Sequence, residues 1–237
     1  MEELKVVVLA AGRGERLSPY TNFVPKPLMT LLGKPLIDHV ICSCRDAGLK
    51  EFVVVTGYLG NVIRDHLRSG EHLGVGIDYV ENVNWGLGNG SSLMAARAKL
   101  ESEGHFLLTM SDHIYHSSLI RRALDGFKGL HSVCVDRVPM YLTDIAEATK
   151  VILTDNGAVT EIGKGLARWH GVDTGVFILH TDLFTSVKSR VNGVVDCMRD
   201  IISDSLLQSI DVSSLPWLDV DTFEDLNYAG QVVGAWN

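Results

Sequence analysis

Two glycines, two arginines and a lysine lie close together in LAAGRGERLSPYTNFVPKPL, residues 9–28, directly after an apolar run. Gly12 and Gly14 let the backbone turn tightly and bring amide N–H groups against an oxyanion, while Arg13 and Arg16 supply positive charge. Lys26 stands between Pro25 and Pro27, which restrict the backbone on either side and fix where its long cationic side chain departs. The combination suits a phosphate chain. It fails the two common phosphate-loop patterns, because a Walker loop ends in Gly-Lys-Ser/Thr and a dinucleotide loop needs a third glycine where Leu17 stands. Neither an ordinary ATPase nor a dehydrogenase is indicated.

The elements that must position these residues alternate. LKVVVLAAG reads as a strand buried on both faces. After Pro35, the residues Leu36, Ile37, Val40, Ile41 and Cys44 recur at helical spacing until Gly48. EFVVVTG is the next strand, and NVIRDHLRSG a helix with Asn61 as cap and Gly70 as stop. The rhythm repeats through GIDYVEN, a helix after GNGSS, the strand HFLLTMSD and the helix SSLIRRALDGF, for which Ser117 is the expected cap. This predicts an α/β fold with a mostly parallel sheet covered by helices on both sides. Beyond Pro139 the pattern becomes β-rich, and Asn156-Gly157 between alternating segments predicts a two-residue hairpin. One α/β domain over residues 1–237 is expected. Ligands of such sheets gather beyond the carboxyl ends of the strands, so Gly12 to Arg16, Trp85 to Ser92, Ser111 to His113 and Trp217 to Asp221 should converge on one crevice.

Composition sets bounds. With 237 residues and 46% apolar side chains the chain can bury a full core, and a net charge of −8 argues against a nucleic-acid surface, which needs a broad basic face. No apolar run reaches the roughly 18 residues of a membrane span. Four cysteines without a signal peptide point to reduced thiols in a cytoplasmic protein. His39, Cys42 and Cys44 lack a matching second pair for zinc and read as helical core positions, and His113 and His116, three apart, read as surface residues.

The glycine-rich stretch, with GNGSSLMAA, SDHI, EIGKG, VDTGVF and WLDVDTFEDL, resembles the nucleotidyltransferases that make nucleotide-activated sugars and alcohols, and the likeness covers essentially the whole chain. Within that family the chain is similar to CTP:inositol-1-phosphate cytidylyltransferases. The resemblance implies a three-layer α/β/α, Rossmann-like fold with a mixed, mostly parallel sheet. About residues 1–138 form the nucleotide-binding half, and about 139–237 a β-rich half that binds the acceptor and completes the metal site. It implies formation of CDP-inositol and pyrophosphate from CTP and inositol 1-phosphate, with Mg2+ as cofactor. Many such domains are fused to a membrane-embedded CDP-alcohol phosphotransferase, so a chain ending at Asn237 is expected to be a stand-alone enzyme or an excised domain, with homodimerisation open. The alternatives are a sugar-1-phosphate nucleotidyltransferase using another base and a non-catalytic regulatory subunit. A glycosyltransferase using DVD as its metal motif would leave Arg16 and Lys26 unexplained.

By the same resemblance, Leu9, Ala10, Ala11, Gly12, Arg13 and Gly14 bind the nucleotide. Arg16 holds the departing β,γ-phosphates, and Lys26 meets the α-phosphate as charge builds. Magnesium takes hard oxygen ligands. Asp112 is one candidate, its reading as a helix cap being weakened by Ser117. Asp219 and Asp221, two apart in an extended segment, project to the same face, so one can bind metal while the other caps the helix in TFEDLNYA; the following Thr-x-Glu-Asp-Leu favours Asp221, the preceding tryptophan Asp219. Gly88, Asn89, Gly90 and Ser91 form the expected base loop, with Ser92 a further polar option. The resemblance makes Lys164 the partner of the acceptor phosphate and Glu161, Asp173 and Thr174 hydroxyl ligands.

Overall fold

In the computed structural model, which describes residues 4–100, 104–187, 192–204 and 207–236, β1 (Lys5–Ala10) turns Val6, Val8 and Ala10 to one apolar layer and Val7 and Leu9 to the other. Both faces are covered, so the run has no polar alternation. A short ladder of β2 (Thr30–Leu31) and β3 (Lys34–Pro35) leads into α1 (Leu36–Asp46), whose buried stripe is the one read from the sequence. Then follow β4 (Glu51–Thr56), α2 (Gly60–Leu67), β5 (Gly76–Glu81), α3 (Asn89–Ala95) and β6 (His105–Met110). β7 (His113–Tyr115), α4 (Ser117–Gly126) and β8 (Ser132–Asp136) complete the first half. Beyond it come β9 (Lys150–Leu153), β10 (Val159–Gly163), β11 (Gly171–His180), α5 (Leu183–Ser186), α6 (Val194–Ser203), β12 (Gln208–Asp211), β13 (Trp217–Asp219) and α7 (Phe223–Val232).

The sheet is mixed. β6, β1, β4 and β5 run parallel, and β11 joins β6 antiparallel. β11 carries β9 and β8, which in turn pair with β10 and with β12. Ile37, Ile63 and Ile120 bring α1, α2 and α4 against one side, while Leu93, Leu183 and Met198 bring α3, α5 and α6 against the other, which gives the three-layer α/β/α arrangement. A separate ladder of β7 with β13 stands beyond the end of β6 and packs under α7 through Ile114, Leu218 and Ala229. Among the described residues no helix is long and apolar enough to cross a membrane.

Three local expectations are corrected. α2 starts at Gly60 after Leu59 in the left-handed region (φ 48°), so Asn61 lies inside the first turn and is not the cap. α4 is capped by His116, whose ring accepts the Ser118 N–H, and Ser117 is its first residue. The β9–β10 connection has five residues, 154–158, closed by Thr154 N–H to Ala158 O (2.9 Å) and Gly157 N–H to Thr154 O (3.0 Å). Only Gly157 there has a positive φ (82°), whereas a two-residue type I′ turn needs one at both central positions.

Candidate active site

The parallel strands deliver their carboxyl ends to one crevice. Beyond β1, Gly14 takes a left-handed backbone (φ 68°), and a Cβ there would sit 2.8 Å from Lys26 Cβ, so glycine is what lets the two segments meet. Lys26 is buried in a short turn set by its prolines, and its Nζ donates to Asp112 Oδ2 at 2.6 Å and to Asp221 Oδ1 at 2.7 Å. Arg16 Nη2 holds the other oxygen of Asp221 at 2.6 Å, and the other oxygen of Asp112 is 3.0 Å from His113 Nδ1. An unbroken ionic chain thus runs Arg16, Asp221, Lys26, Asp112, His113.

At Lys26, Asp112 and His113 burial opposes the charge, and partnership reverses it. Desolvation alone would lower the Lys26 pKa, but the two carboxylates raise it above the usual lysine value. Burial would push Asp112 up, yet Lys26 and the His113 hydrogen bond hold it well below the usual carboxylate range. His113, also desolvated, is raised by Asp112, Asp219 and Asp221. Among the described residues Asp173 has no such cation in contact, and burial pushes it up to about 7 against the Gly175 N–H and His113.

Two cavities open here, of about 430 and 250 Å³, and both are bordered by Arg16, Asn89, Met110, Asp112 and Asp221. The larger is walled by Ala11, Gly12, Gly14, Trp85 and Ser92, the smaller by His113, Glu147, Lys164, Asp173 and Asp219. Gly88 turns the chain between them at φ 101°, and a Cβ there would lie 2.0 Å from the Asn192 carbonyl oxygen. Asn89 Oδ1 then accepts the Val194 N–H at 2.9 Å, tying the start of α3 to the start of α6. Gly88→Ala combines backbone strain with overlap against main chain, and should lower unfolding stability by about 2 to 5 kcal/mol in urea denaturation; a wild-type midpoint would contradict this packing.

Not every expected residue reaches the crevice. Leu9, Ala11, Gly12, Gly14, Gly88 and Asn89 line the larger cavity. Ala10 turns into the core below α1, and Arg13 points out to Asn22 (2.9 Å) and over the Tyr58 ring. Gly90 and Ser91 fall outside the lining: the Gly90 N–H bonds Asn192 O, and the Ser91 hydroxyl is held by Gly88 O at 2.7 Å. Ser92, one helical step on, faces in. Asp173 faces the smaller cavity, whereas Thr174 alternates to the opposite face, fully buried with its hydroxyl on Cys134 O (3.1 Å). Glu161 is exposed on the outermost strand, where the β9–β10 register shifts, and borders neither cavity. Lys164 borders the smaller cavity and pairs with Glu147 at 3.1 Å.

His113 corrects the surface reading. Its ring stacks on Trp217 (centroids 6.2 Å, interplanar angle 12°), and a Cβ on Gly175 would come within 2.8 Å of it. Neither aspartate of WLDVDT caps the following helix; Thr222 and Asp225 do so reciprocally. That leaves both free, in different places: Asp221 touches Arg16 and Lys26, while Asp219 lies opposite His113 in the β7–β13 ladder and borders only the smaller cavity. Cys42, Cys44, Cys134 and Cys197 are free and buried, and His39 bonds Leu31 O at 2.9 Å.

The family model described as Nucleotidyl transferase matches residues 5–233. The chain belongs to this family. Among curated relatives, proteins named "Bifunctional IPC transferase and DIPP synthase" are 33% identical in Aquifex aeolicus and 34% identical in Rubrobacter xylanophilus. These alignments cover 94% and 99% of this chain but 50% and 53% of those proteins. The chain thus spans about half the length of these relatives. An N-acetylmuramate alpha-1-phosphate uridylyltransferase of Neisseria meningitidis is 30% identical over 98% of this chain and 100% of its own. Among solved structures, the inositol-1-phosphate CTP transferase from T. maritima superposes with a TM-score of 0.82 at 25% identity, covering 94% of this chain and 91% of that one. The family's fold is therefore the fold described above.

Proposed function

We propose that this nucleotidyltransferase-family chain is a magnesium-dependent cytidylyltransferase that joins CTP and inositol 1-phosphate into CDP-inositol and releases pyrophosphate. The observation that carries the proposal is the meeting of two cavities at Arg16, Asp112 and Asp221, with Lys26 between the two carboxylates. The larger cavity accounts for a nucleoside triphosphate and the smaller for a phosphorylated polyol. The names of the Aquifex, Rubrobacter and T. maritima proteins support this choice of substrates.

An acceptor phosphomonoester has its second pKa near ~6, so at neutral pH it is already a nucleophile and needs no strong base. The barrier is electrostatic: an anion approaches the α-phosphorus in line and pyrophosphate departs with new charge. Arg16 is placed to hold the departing phosphates and Lys26 to meet charge on the α-phosphate. Arg16 rests on Asp221, and Lys26 on Asp112 and Asp221. A triphosphate offers them stronger anionic partners, which frees the carboxylates. Asp112 Oδ2 and Asp221 Oδ1 already converge on one point, Lys26 Nζ, and hard oxygens of this kind fit Mg2+. Magnesium, when bound, would neutralise phosphate charge beside them. Asp221 is the better candidate of its pair because only it contacts both cations.

One hydroxyl of the larger cavity is placed to read the base. Asn82 is buried, and its Oδ1 accepts the Asn84 N–H at 2.9 Å, which fixes the amide so that Nδ2 donates to Ser92 Oγ at 3.0 Å. The Ser92 proton is thereby left to donate into the larger cavity. Cytosine offers it adjacent acceptors, O2 and N3; uracil replaces the second with an N3–H donor. Ser92→Ala should reduce the preference for CTP over UTP in kcat/KM by about tenfold, the worth of one such bond. An unchanged ratio would remove Ser92 from base reading.

In the smaller cavity Lys164 is the acceptor-side cation, held by Glu147, while the Lys150 ammonium pins this segment through Ala146 O, Ala148 O and Lys164 O. Asp173, pushed up to about 7 by burial, can donate to a polyol oxygen when protonated. Lys164→Ala should raise KM for inositol 1-phosphate at least tenfold and leave KM for CTP nearly unchanged. If Arg168→Ala gives that defect instead, the cation has been misassigned.

The Neisseria relative favours a second reading, uridylyl transfer to a sugar 1-phosphate. Pyrophosphate release measured across nucleoside triphosphates and phosphomonoesters separates the two: CTP with inositol 1-phosphate should give the highest kcat/KM, and UTP with a sugar 1-phosphate in that place would establish the second. On the first reading the reaction takes place in the cytoplasm, and a membrane CDP-alcohol phosphotransferase, fused or separate, consumes the product.

A further inference from the structure

Away from the catalytic crevice, three side chains from three elements converge. Asp38 lies in the first turn of α1 and is only 6% exposed, His66 lies in the last turn of α2, and His72 sits in the tight turn Glu71–Leu73. One ligand atom from each lies within 4.8 Å of the other two. Asp38 Oδ1 is 2.8 Å from His66 Nε2, and the two imidazoles meet edge to face at 82° with centroids 5.8 Å apart. The place of His72 is set by its backbone. Gly70 (φ 85°) and Gly74 (φ 73°) flank the turn in the left-handed region, and a Cβ on Gly70 would come within 2.7 Å of Val75 O and of the Ile77 side chain. None of the three residues borders either cavity of the active site.

We propose that Asp38, His66 and His72 form a binding site for a borderline divalent metal ion, Zn2+ or Co2+, that clips α2 and the turn after it onto α1. Two imidazoles and one carboxylate suit such ions, whereas Mg2+ and Ca2+ select all-oxygen surroundings. Zinc bonds of about 2.0 to 2.2 Å require the three ligand atoms to draw closer together than 4.8 Å. The half-buried His66 and exposed His72 can make that movement by side-chain rotation about the anchored carboxylate, and water completes the coordination. The ion takes the place of the hydrogen bond between Asp38 and His66. Because the site joins helices and stands outside the crevice, its effect is on stability.

The test uses untagged full chain stripped with chelator, titrated with Zn2+ by calorimetry and with Co2+ by visible absorption. One equivalent should bind, Co2+ should develop the intense absorption of a low-coordinate site, and Zn2+ at a hundredfold excess over Kd should raise Tm by about 5 to 10 °C. His72→Gln, an exposed change compatible with folding, should weaken Zn2+ at least tenfold and abolish the Tm shift while leaving Mg2+-supported turnover unchanged; His66→Gln should weaken it similarly. Asp221→Asn should leave Zn2+ affinity intact, since it lies in the other site. Equal affinity in wild type, His66→Gln and His72→Gln, loss of binding in Asp221→Asn alone, or no binding tighter than about 1 mM would each overturn the proposal.

Discussion

Replacing Lys26 with alanine should lower kcat by on the order of 10² or more while barely changing the affinity for CTP. The lysine is buried, rigidly placed by Pro25 and Pro27, and aimed where the two cavities meet. An ammonium fixed there contributes most when negative charge concentrates on the α-phosphate, so its loss falls on the transition state rather than on binding. Its removal also leaves Asp112 and Asp221 facing each other without the cation between them, and the carboxyl of Asp112, held low by Lys26, should rise toward the ordinary range. A folded variant with full activity would remove Lys26 from the mechanism. A fall in CTP affinity as large as the fall in kcat would recast it as a binding residue.

The second large effect separates two aspartates that sit two residues apart. Asp221→Asn and Asp112→Asn should each raise the Mg2+ concentration needed for half-maximal turnover at least tenfold and lower kcat by on the order of 10². Asp219→Asn should spare both quantities, because Asp219 faces His113 and the smaller cavity rather than Arg16 and Lys26. Thermal unfolding of Asp219→Asn should stay close to wild type, since Thr222 and Asp225 cap α7 without its help. A crippled Asp219→Asn beside a normal Asp221→Asn would reverse the assignment.

The sequence was most informative where local rules act alone. Strands buried on both faces appear as unbroken apolar runs, so β1, β4 and β6 could be read directly, and the carboxyl-end rule pointed to Gly12, Gly14, Arg16 and Asp112, which line one crevice. Residues decided by side-chain direction were less legible. Thr174 and Asp173 are neighbours in VDTGVF, but strand alternation sends one to the core and the other to the cavity, and the register of β11 is set by partners distant in sequence. Ser91 and Ser92 differ by one helical step in the same way. His113 looked like a surface residue because its neighbours Trp217, Asp219 and Gly175 come from segments far along the chain. Glu147 and Thr149, which border the smaller cavity, lie in an irregular segment after β8 whose sequence has no periodicity to mark it. Their position depends on Lys150, a lysine pinned inward by three carbonyls, and only tertiary structure reveals that.

The most direct test of the central claim follows the phosphorus atoms. With inositol 1-phosphate, Mg2+ and CTP labelled at the α-phosphorus, the label should appear in a pyrophosphate-linked diester, CDP-inositol, that resists phosphatase; with CTP labelled at the γ-phosphorus, all released label should be pyrophosphate. Transfer of the γ-label to the acceptor, or its release as inorganic phosphate with the α-label left in CDP, would contradict nucleotidyl transfer at this site.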